Sequence, residues 1–420
     1  MNVLAKSWSA SSEPRRLAYA AVAVFLVSLT ALHWGFYQHN LILDTVEYHR
    51  YGNAIVHGHV PYRDFAVEYP PGALPAFTVP ALAYAGFSFY NRAFQILMAL
   101  CGVGVLLAMT VALRSLGASL QRTAAALAFA ALAPLVLGSV ILYRYDLWPA
   151  ALTVAGLAAL LAGRERLGFA SLGLGIAAKV FPAVVLPPAF VYVWRTRGRR
   201  DALICVGLAA AVVAIVLVPF LALAPGELWD SVVHQTTRPL QLESLASGVL
   251  LAAHQVGGLA ITMDSSHGSQ NLAGSLPHAL GTVSTVLLVV ALLAIWFAAA
   301  RGPATPERLV RHSAASLVAF VALSKVLSPQ FLIWLIPIVP LVRGRRGLAA
   351  SALLGLALLL TQLWFPIRYW DLALRFASFP SWAVLARDLV LLALLAVLLL
   401  PKAPIAVPSS GRTGSGRASV

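Results

Sequence analysis

The acids, imidazoles and aromatic rings of this chain are concentrated in one polar stretch, residues 34–90, although the chain as a whole is 60% hydrophobic. The stretch contains four of the fifteen acids and four of the ten histidines, which are Asp44, Glu47, Asp64, Glu68, His39, His49, His57 and His59. A carboxylate held beside apolar material can act as a general base towards a hydroxyl group. The stretch therefore predicts a catalytic loop in which an acid accepts a proton.

Asp44 is the first candidate for that base. It follows the first apolar segment by about eight residues, and Leu43, Val46 and Ile55 favour a short helix lying on the membrane surface. A carboxylate at this position would face the aqueous side and would suit a sugar hydroxyl arriving at the interface. The alternative is an ordinary solvated loop acid.

A second cluster lies in P-Y-R-D-F-A-V-E-Y-P-P-G, residues 61–72. Because proline restricts the backbone, the Pro-Pro-Gly turn should hold Glu68 and Tyr69 in place, with Glu68 supporting the site. Asp64 is also a candidate substrate contact, and the alternative for it is a structural turn in which it pairs with Arg63. The spacing of the nearby histidines matches no zinc pattern, so we expect neither a metal nor another cofactor.

Further charged residues mark the predicted ends of apolar segments. Arg144 and Asp146 lie in Y-R-Y-D-L-W-P, and Lys179 and Lys325 begin or follow segments without an acid nearby in the sequence. A cation at a membrane boundary suits the phosphate of a lipid carrier. The alternatives are that Arg144 pairs with Asp146 and that the lysines reach towards lipid head groups.

Two more substrate contacts are predicted from the second half of the chain. Gln330 closes the motif S-K-V-L-S-P-Q, and Arg368 precedes two aromatic residues that could stack on a sugar. The adjacent Arg387 and Asp388 lie inside the last apolar segment, where we expect a structural ion pair.

The elements that must position these residues are membrane helices. Only 11% of the chain is charged, whereas soluble domains carry about 25%, and many apolar runs approach the length of a bilayer crossing. The sequence predicts an all-α polytopic membrane protein of about 12 transmembrane helices, with one domain over residues 1–400 and a disordered cytoplasmic tail over 401–420. The loops predicted to be extracytoplasmic are a large first loop at about 37–91 and two others at about 224–277 and 366–382.

The charge distribution predicts the orientation. The net charge is +15, which in a soluble protein would suggest nucleic acid. With both termini in the cytoplasm, 20 of the 30 Lys and Arg and 4 of the 15 acids fall on the inner side, a balance of +16 against −1 outside. Positive-inside asymmetry therefore explains the charge, and no nucleic acid partner is expected. It also predicts a multi-pass plasma-membrane protein with an extracytoplasmic site, and no phosphate-loop motif marks the inner side.

Five motifs together resemble glycosyltransferase family 87, one of the polytopic GT-C glycosyltransferases. They are D-x-x-x-Y at 44–48, the 61–72 motif, Y-R-Y-D-L-W-P at 143–149, K-V-F-P-A-V-x-L-P at 179–187 and S-K-V-L-S-P-Q-F-L-I-W-L-x-P at 324–337. The resemblance implies a GT-C-type bundle and inverting transfer of mannose, or another sugar, from a polyprenyl-phosphate carrier to an extracytoplasmic glycolipid or glycan. It also implies an acidic base in the first outer loop, which Asp44 matches best, with Glu47 and Asp64 as alternatives.

Two functions of other kinds are compatible with a polytopic membrane protein. A transporter or lipid-carrier flippase would commonly show internal repeats and charges near the bilayer midplane. The sequence shows no repeat, and its charges lie at one edge. An enzyme resembling O-antigen ligases would also use a lipid-linked sugar, but would transfer a preassembled chain.

Overall fold

The computed structural model describes residues 13–39, 41–83 and 86–400, and these residues are mostly helical. The helices are α1 (Glu13–Ala31), α2 (Thr45–Val56), α3 (Leu74–Ala81), α4 (Phe87–Ser115), α5 (Leu120–Leu137), α6 (Leu147–Leu161), α7 (Glu165–Ala178), α8 (Leu186–Arg197), α9 (Arg199–Leu223), α10 (Pro225–Thr236), α11 (Leu245–Gly257), α12 (Ser275–Arg301), α13 (Pro306–Leu323), α14 (Leu332–Leu335), α15 (Gly344–Gln362), α16 (Tyr369–Arg375) and α17 (Ser378–Leu399). The tail predicted to be disordered lies outside the described residues.

Seven of these helices are long and apolar enough to cross a membrane, judged by length and composition. They are α1, α4, α5 with its extension to Ile141, α9, α12, α15 and α17. The chain is therefore an all-α polytopic membrane protein. In α9 and α12 only 11% of the most apolar window is buried, so these two helices present most of their surface to lipid.

The other five predicted crossings correspond to shorter or more polar helices. The helices α6, α7 and α8 have 15, 14 and 12 residues, and at 1.5 Å per residue they span only about 18–23 Å of a ~30 Å hydrocarbon core. Prolines explain the breaks, because Pro182 is the second residue of one 3₁₀ turn and Pro329 the first of another, and both turns interrupt the apolar runs. The helix α13 carries charges in its first two turns. The number of twelve crossings thus stays a prediction.

The loop predicted to be the first outer loop folds into two short helices that pack on each other. The surface helix predicted after Asp44 is present as α2, which buries Tyr48, Tyr51 and Gly52 on one face. Gly52 permits this packing, since a Cβ atom there would lie 2.2 Å from the carbonyl oxygen of Phe77 in α3. The loop is thereby fixed against the helical bundle.

The second outer loop contains an element that the sequence did not predict. Two strands, β1 (Thr262–Ser266) and β2 (Ser269–Ala273), form an antiparallel hairpin. Residues 240–242 lie beside β2, where Leu242 N donates to Gln270 O at 3.0 Å and Leu272 N donates to Leu240 O at 2.9 Å. This small sheet lies beside α12.

Loops predicted to share a side of the membrane contact one another. At one end, Arg343 Nη1 donates to Leu116 O at 2.7 Å and pairs with Glu307 at 2.9 Å. At the other end, Gln235 Nε2 donates to Glu68 O at 3.1 Å, which joins the first and second outer loops. These contacts are compatible with the predicted assignment of the loops to two sides, which stays a prediction.

Candidate active site

The carboxylate of Asp44 rests on a buried arginine. Asp44 is the residue immediately before α2, and its Oδ1 atom lies 2.5 Å from Arg144 Nη1. The Arg144 side chain is 6% exposed, whereas the Asp44 side chain is 31% exposed. One helical turn later, the Tyr48 hydroxyl donates to Asp44 Oδ2 at 3.4 Å, which explains the D-x-x-x-Y spacing. Arg144 and Tyr48 therefore hold one side of the Asp44 carboxylate, and its exposed side remains accessible to a substrate.

This environment strengthens Asp44 as a base. Burial raises the pKa of Asp44 above its ordinary value, and the positive charge of Arg144 opposes this effect only in part. The carboxylate of Asp146 also raises the pKa, and the ammonium of Lys179 lowers it. A carboxylate with a raised pKa holds a transferred proton better than an ordinary aspartate.

A second buried ion pair lies next to the first. Lys179 Nζ and Trp334 Nε1 both donate to Asp146 Oδ1 at 2.6 Å, and the Asp146 side chain is 1% exposed. The Lys179 ammonium also lies 4.7 Å from the ring centre of Tyr145 and 5.2 Å from that of Trp334. It therefore contacts an acid and aromatic rings.

These contacts correct one sequence-based alternative and identify a distant partner for Lys179. Arg144 and Asp146 do not pair with each other, because each makes its ion pair with a residue of another segment. Lys179, which has no acid nearby in the sequence, pairs with Asp146, 33 residues away in the chain. Arg144 and Asp146 are two positions apart in a turn, where side chains can point in different directions. Their closeness in sequence therefore does not decide whether they pair.

Aromatic rings surround both ion pairs. Tyr48 stacks on Phe77 with 4.4 Å between the ring centres, and Tyr69 meets Tyr145 edge to face at 5.1 Å. The Pro-Pro-Gly turn that follows Tyr69 docks on the start of α6, because Trp148 Nε1 donates to Gly72 O at 3.1 Å. The predicted substrate residue Tyr69 therefore packs among the aromatic rings beside Asp44 and Asp146.

The two alternative bases are engaged locally. Asp64 accepts bonds from Arg63 Nε at 2.8 Å and from Val60 N at 2.7 Å, and these bonds lower its pKa to about 2. Glu47 pairs with Arg50 on the exposed side of α2. Of the three acids, Asp44 combines a buried partner, an exposed edge and a raised pKa, so the geometry favours it.

A cavity of about 450 Å³ lies at the same end of the bundle. That volume is typical of a ligand pocket. Its lining includes Arg238, Lys325, Asp264, His278, Thr282 and Thr285. Lys325 Nζ donates to Thr236 O at 3.1 Å, and its pKa is lowered by burial and by the charge of Arg238.

Arg238 and Lys325 of this cavity lack ion-pair partners in the described part of the chain. Within residues 13–39, 41–83 and 86–400, no acid lies in salt-bridge contact with Arg238 or Lys325, and Arg238 Nε is buried without a hydrogen bond. Tyr69 interacts electrostatically with both Asp44 and Arg238, so it lies near the base and near the cavity. Unpaired cations beside a cavity are suited to an anionic ligand.

The remaining predicted residues lie around this centre. Glu68 faces the hairpin tip, where a Cβ atom on Gly268 would lie 3.3 Å from Glu68 Oε2. Gln330 belongs to the 3₁₀ turn Pro329–Phe331. Arg368 has its guanidinium 4.9 Å from the ring centre of Phe379. In the described part of the chain, no group of three or more His, Cys, Asp or Glu residues could hold a metal ion.

Sequence reasoning missed three residues of the site. Trp334 lies within the 324–337 motif, which by itself gives it no role, although an indole N–H that reaches a buried carboxylate orients it. Arg238 and Glu243 stand in the sequence only as polar residues of a long loop. No local pattern marks either one, because their neighbours come from distant segments.

The family comparison covers most of this site. A family model described as Glycosyltransferase family 87 matches residues 67–329, which is more than half of the chain. Asp44 precedes the matched range, whereas Arg144, Asp146, Lys179, Arg238 and Lys325 lie within it.

Similar solved structures include two of ArnT from Cupriavidus metallidurans. The structure bound to undecaprenyl phosphate has a TM-score of 0.49 and 17% sequence identity, and the match covers 93% of this chain and 77% of that chain. The apo structure has a TM-score of 0.48 and 17% identity, with 94% and 77% covered. No curated protein sequence is significantly similar to this chain.

Proposed function

This chain belongs to glycosyltransferase family 87, and from that premise we propose that it transfers a single sugar, mannose, from a polyprenyl-phosphate carrier to a hydroxyl group of a glycolipid or glycan. The observation that best supports this proposal is the Asp44 carboxylate, which is exposed on one side and fixed by buried Arg144 on the other. That combination fits a general base, because a base must reach its substrate and keep its orientation.

The proposed reaction is a direct displacement at the anomeric carbon. The acceptor oxygen attacks that carbon, Asp44 takes the hydroxyl proton, and the bond between the anomeric carbon and the phosphate oxygen breaks. The electron pair of that bond leaves with the polyprenyl phosphate. One displacement inverts the anomeric configuration.

Charge on the leaving phosphate needs to be stabilised as it develops. Lys325 and Arg238 are the best-placed cations, because both line the cavity beside the site and neither is ion-paired in the described residues. The sequence suggested Lys179 and Arg144 for this role, but each of them already forms an ion pair with an aspartate. We assign them instead to holding the base and its surroundings in place.

Removing the Lys325 charge should lower kcat/KM for the polyprenyl-phosphate sugar. A hydrogen bond to a charged group contributes about 1.5–3 kcal/mol, so Lys325→Ala should reduce kcat/KM by about ten- to a hundredfold. Arg238→Gln should act in the same direction. The measurement is initial-rate kinetics in nanodiscs with labelled donor.

Arg375→Gln serves as the matched control for that measurement. Arg375 is an outer-loop cation whose ion pair with Asp371, at 3.9 Å, is largely exposed, so its loss should change kcat/KM by less than about twofold. Unchanged kcat/KM in both Lys325→Ala and Arg238→Gln would contradict the phosphate role of this cavity.

The function itself is tested with purified protein and two kinds of donor. One donor is polyprenyl-phosphate mannose, and the other is an oligosaccharide on polyprenyl pyrophosphate. Transfer of one mannose from the first donor to an extracted envelope lipid or glycan supports the proposal. Transfer of the whole oligosaccharide would favour a ligase, and movement of the donor lipid across the bilayer without transfer would favour a flippase.

We also place the site on the extracytoplasmic side of the plasma membrane, because the opposite face carries the basic loops. Native Cys101 and Cys205 are buried, so an introduced cysteine can be followed. A membrane-impermeant maleimide should label Gly226→Cys in intact cells and Arg345→Cys only after permeabilisation. The reverse labelling pattern would place the site in the cytoplasm.

A further inference from the structure

The second outer loop contributes a buried acid that the reaction above does not use. Glu243 is 2% exposed. Its Oε2 atom accepts a hydrogen bond from Gln241 Nε2 at 2.8 Å and one from Ser328 Oγ at 3.4 Å. Ser328 belongs to the motif that also contains Lys325. The Glu243 carboxylate thus joins the second outer loop to the segment that carries a proposed phosphate ligand.

Additional bonds fasten the same two segments together. Gln241 N donates to Lys325 O at 2.9 Å, and Gln241 Nε2 also donates to Ser328 Oγ at 3.0 Å. Residues 241–243 therefore contact both ends of the Lys325–Ser328 segment. Because residues 240–242 also bond to β2, the segment is connected to the wall of the cavity.

The backbone of Glu243 is anchored to the last membrane helix. Arg387 Nη2, in α17, donates to Glu243 O at 2.6 Å. Arg387 also pairs with Asp388 at 2.6 Å, and both side chains are fully buried, as the sequence predicted for this pair. Glu243 therefore has a fixed position from which its carboxylate can orient neighbouring groups.

Glu243 also interacts electrostatically with Arg144, the partner of the proposed base. The charge of Arg144, the partner of Asp44, acts on the Glu243 carboxyl group, and the charges of Glu243, Arg144 and Asp44 all act on the Tyr369 hydroxyl. Burial raises the pKa of Glu243 to about 7, although Arg387, Ser328 and Arg144 lower it.

We propose that Glu243 is a positioning residue that holds the Lys325–Ser328 segment so that the Lys325 ammonium meets the phosphate of the donor lipid. The inference rests on the proposed function, because it assumes that Lys325 binds that phosphate. It assigns no proton transfer to Glu243. Its bond to Ser328 is the contact through which it acts.

The test is a double-mutant cycle on ligand binding, with farnesyl phosphate as the probe and calorimetry in nanodiscs as the measurement. Glu243→Gln keeps the size of the side chain but weakens the charge-assisted bond, so the Kd for farnesyl phosphate should rise about tenfold. Ser328→Ala should produce a similar rise. Because both act through one bond, the double variant should bind about as weakly as either single variant.

Several outcomes separate this inference from the proposed function. If the wild-type protein does not bind farnesyl phosphate, the proposed donor class fails and the role of Glu243 fails with it. If the wild type binds but Glu243→Gln binds equally well, or if the two single effects add, the role of Glu243 alone is overturned. A merely structural residue would lower the melting temperature without this coupling.

A matched control distinguishes local from general effects. Glu307 pairs with Arg343 at the opposite end of the bundle. Glu307→Gln removes one carboxylate charge in the same manner, and its Kd for farnesyl phosphate should match that of the wild type. A tenfold rise in this variant would show that loss of any acid perturbs binding, and would overturn the specific role of Glu243.

Discussion

Replacing Asp44 with Asn should abolish sugar transfer while leaving the protein folded. General-base catalysis contributes about 10²–10⁴ in rate, so we expect kcat to fall by about three orders of magnitude. The amide keeps the shape of the side chain but cannot take the acceptor proton. The measurement is single-sugar transfer from labelled donor, with size-exclusion chromatography to confirm that the variant remains monodisperse.

The neighbouring acids provide matched controls. Glu47 lies three residues further along the chain and pairs with Arg50, and Asp64 is bound in its own turn. Glu47→Gln and Asp64→Asn should therefore retain transfer within about threefold of the wild type, as expected for surface ion pairs. Near-normal transfer by Asp44→Asn, or loss of transfer in one of the other two variants, would reassign the base.

The pH profile of the wild type gives an independent check on Asp44. The base must be ionised to accept a proton, so kcat/KM should rise with pH through the pKa of Asp44. Because burial raises the pKa of Asp44, the acid limb should have its midpoint above the ordinary value of 3.8. A midpoint at or below that value would contradict the buried environment of this carboxylate.

Replacing Asp146 with Asn should destabilise the fold far more than the loss of an exposed acid. Asp146 is almost fully buried and accepts bonds from Lys179 and Trp334. Removing one partner of a buried ion pair costs about 3–5 kcal/mol, because the other charge remains buried without compensation. The free energy of unfolding can be measured by SDS titration in mixed micelles.

Two further variants test whether the buried, uncompensated charge of Lys179 causes this loss of stability. The double variant Asp146→Asn/Lys179→Met removes both charges, so it should lose less stability than Asp146→Asn alone. Glu165→Gln breaks the more exposed pair with Arg197 and should cost less than about 1 kcal/mol. A double variant that is less stable than Asp146→Asn would indicate that the charge of Lys179 is not the cause.

Several features of this protein were determined by the sequence alone. Long apolar runs predicted the membrane helices, because an exposed backbone in lipid must satisfy its own hydrogen bonds. The concentration of acids and histidines in residues 34–90 marked Asp44 as a candidate base. The apolar residues Leu43, Val46 and Ile55 predicted the helix that follows it. The motifs predicted the family. These signals are local, since each depends on neighbours within a few turns of chain.

The tertiary structure decided which charges meet. Trp334, which donates a hydrogen bond to Asp146, lies 188 residues away from it in the chain, and the contact of Lys325 with Thr236 spans 89 residues. Such pairs depend on how helices pack, and the packing is set by shape across the whole core rather than by the composition of one segment. For the same reason the sequence offered Lys179 as a phosphate ligand, whereas the fold places Asp146 beside it and leaves Lys325 facing the cavity.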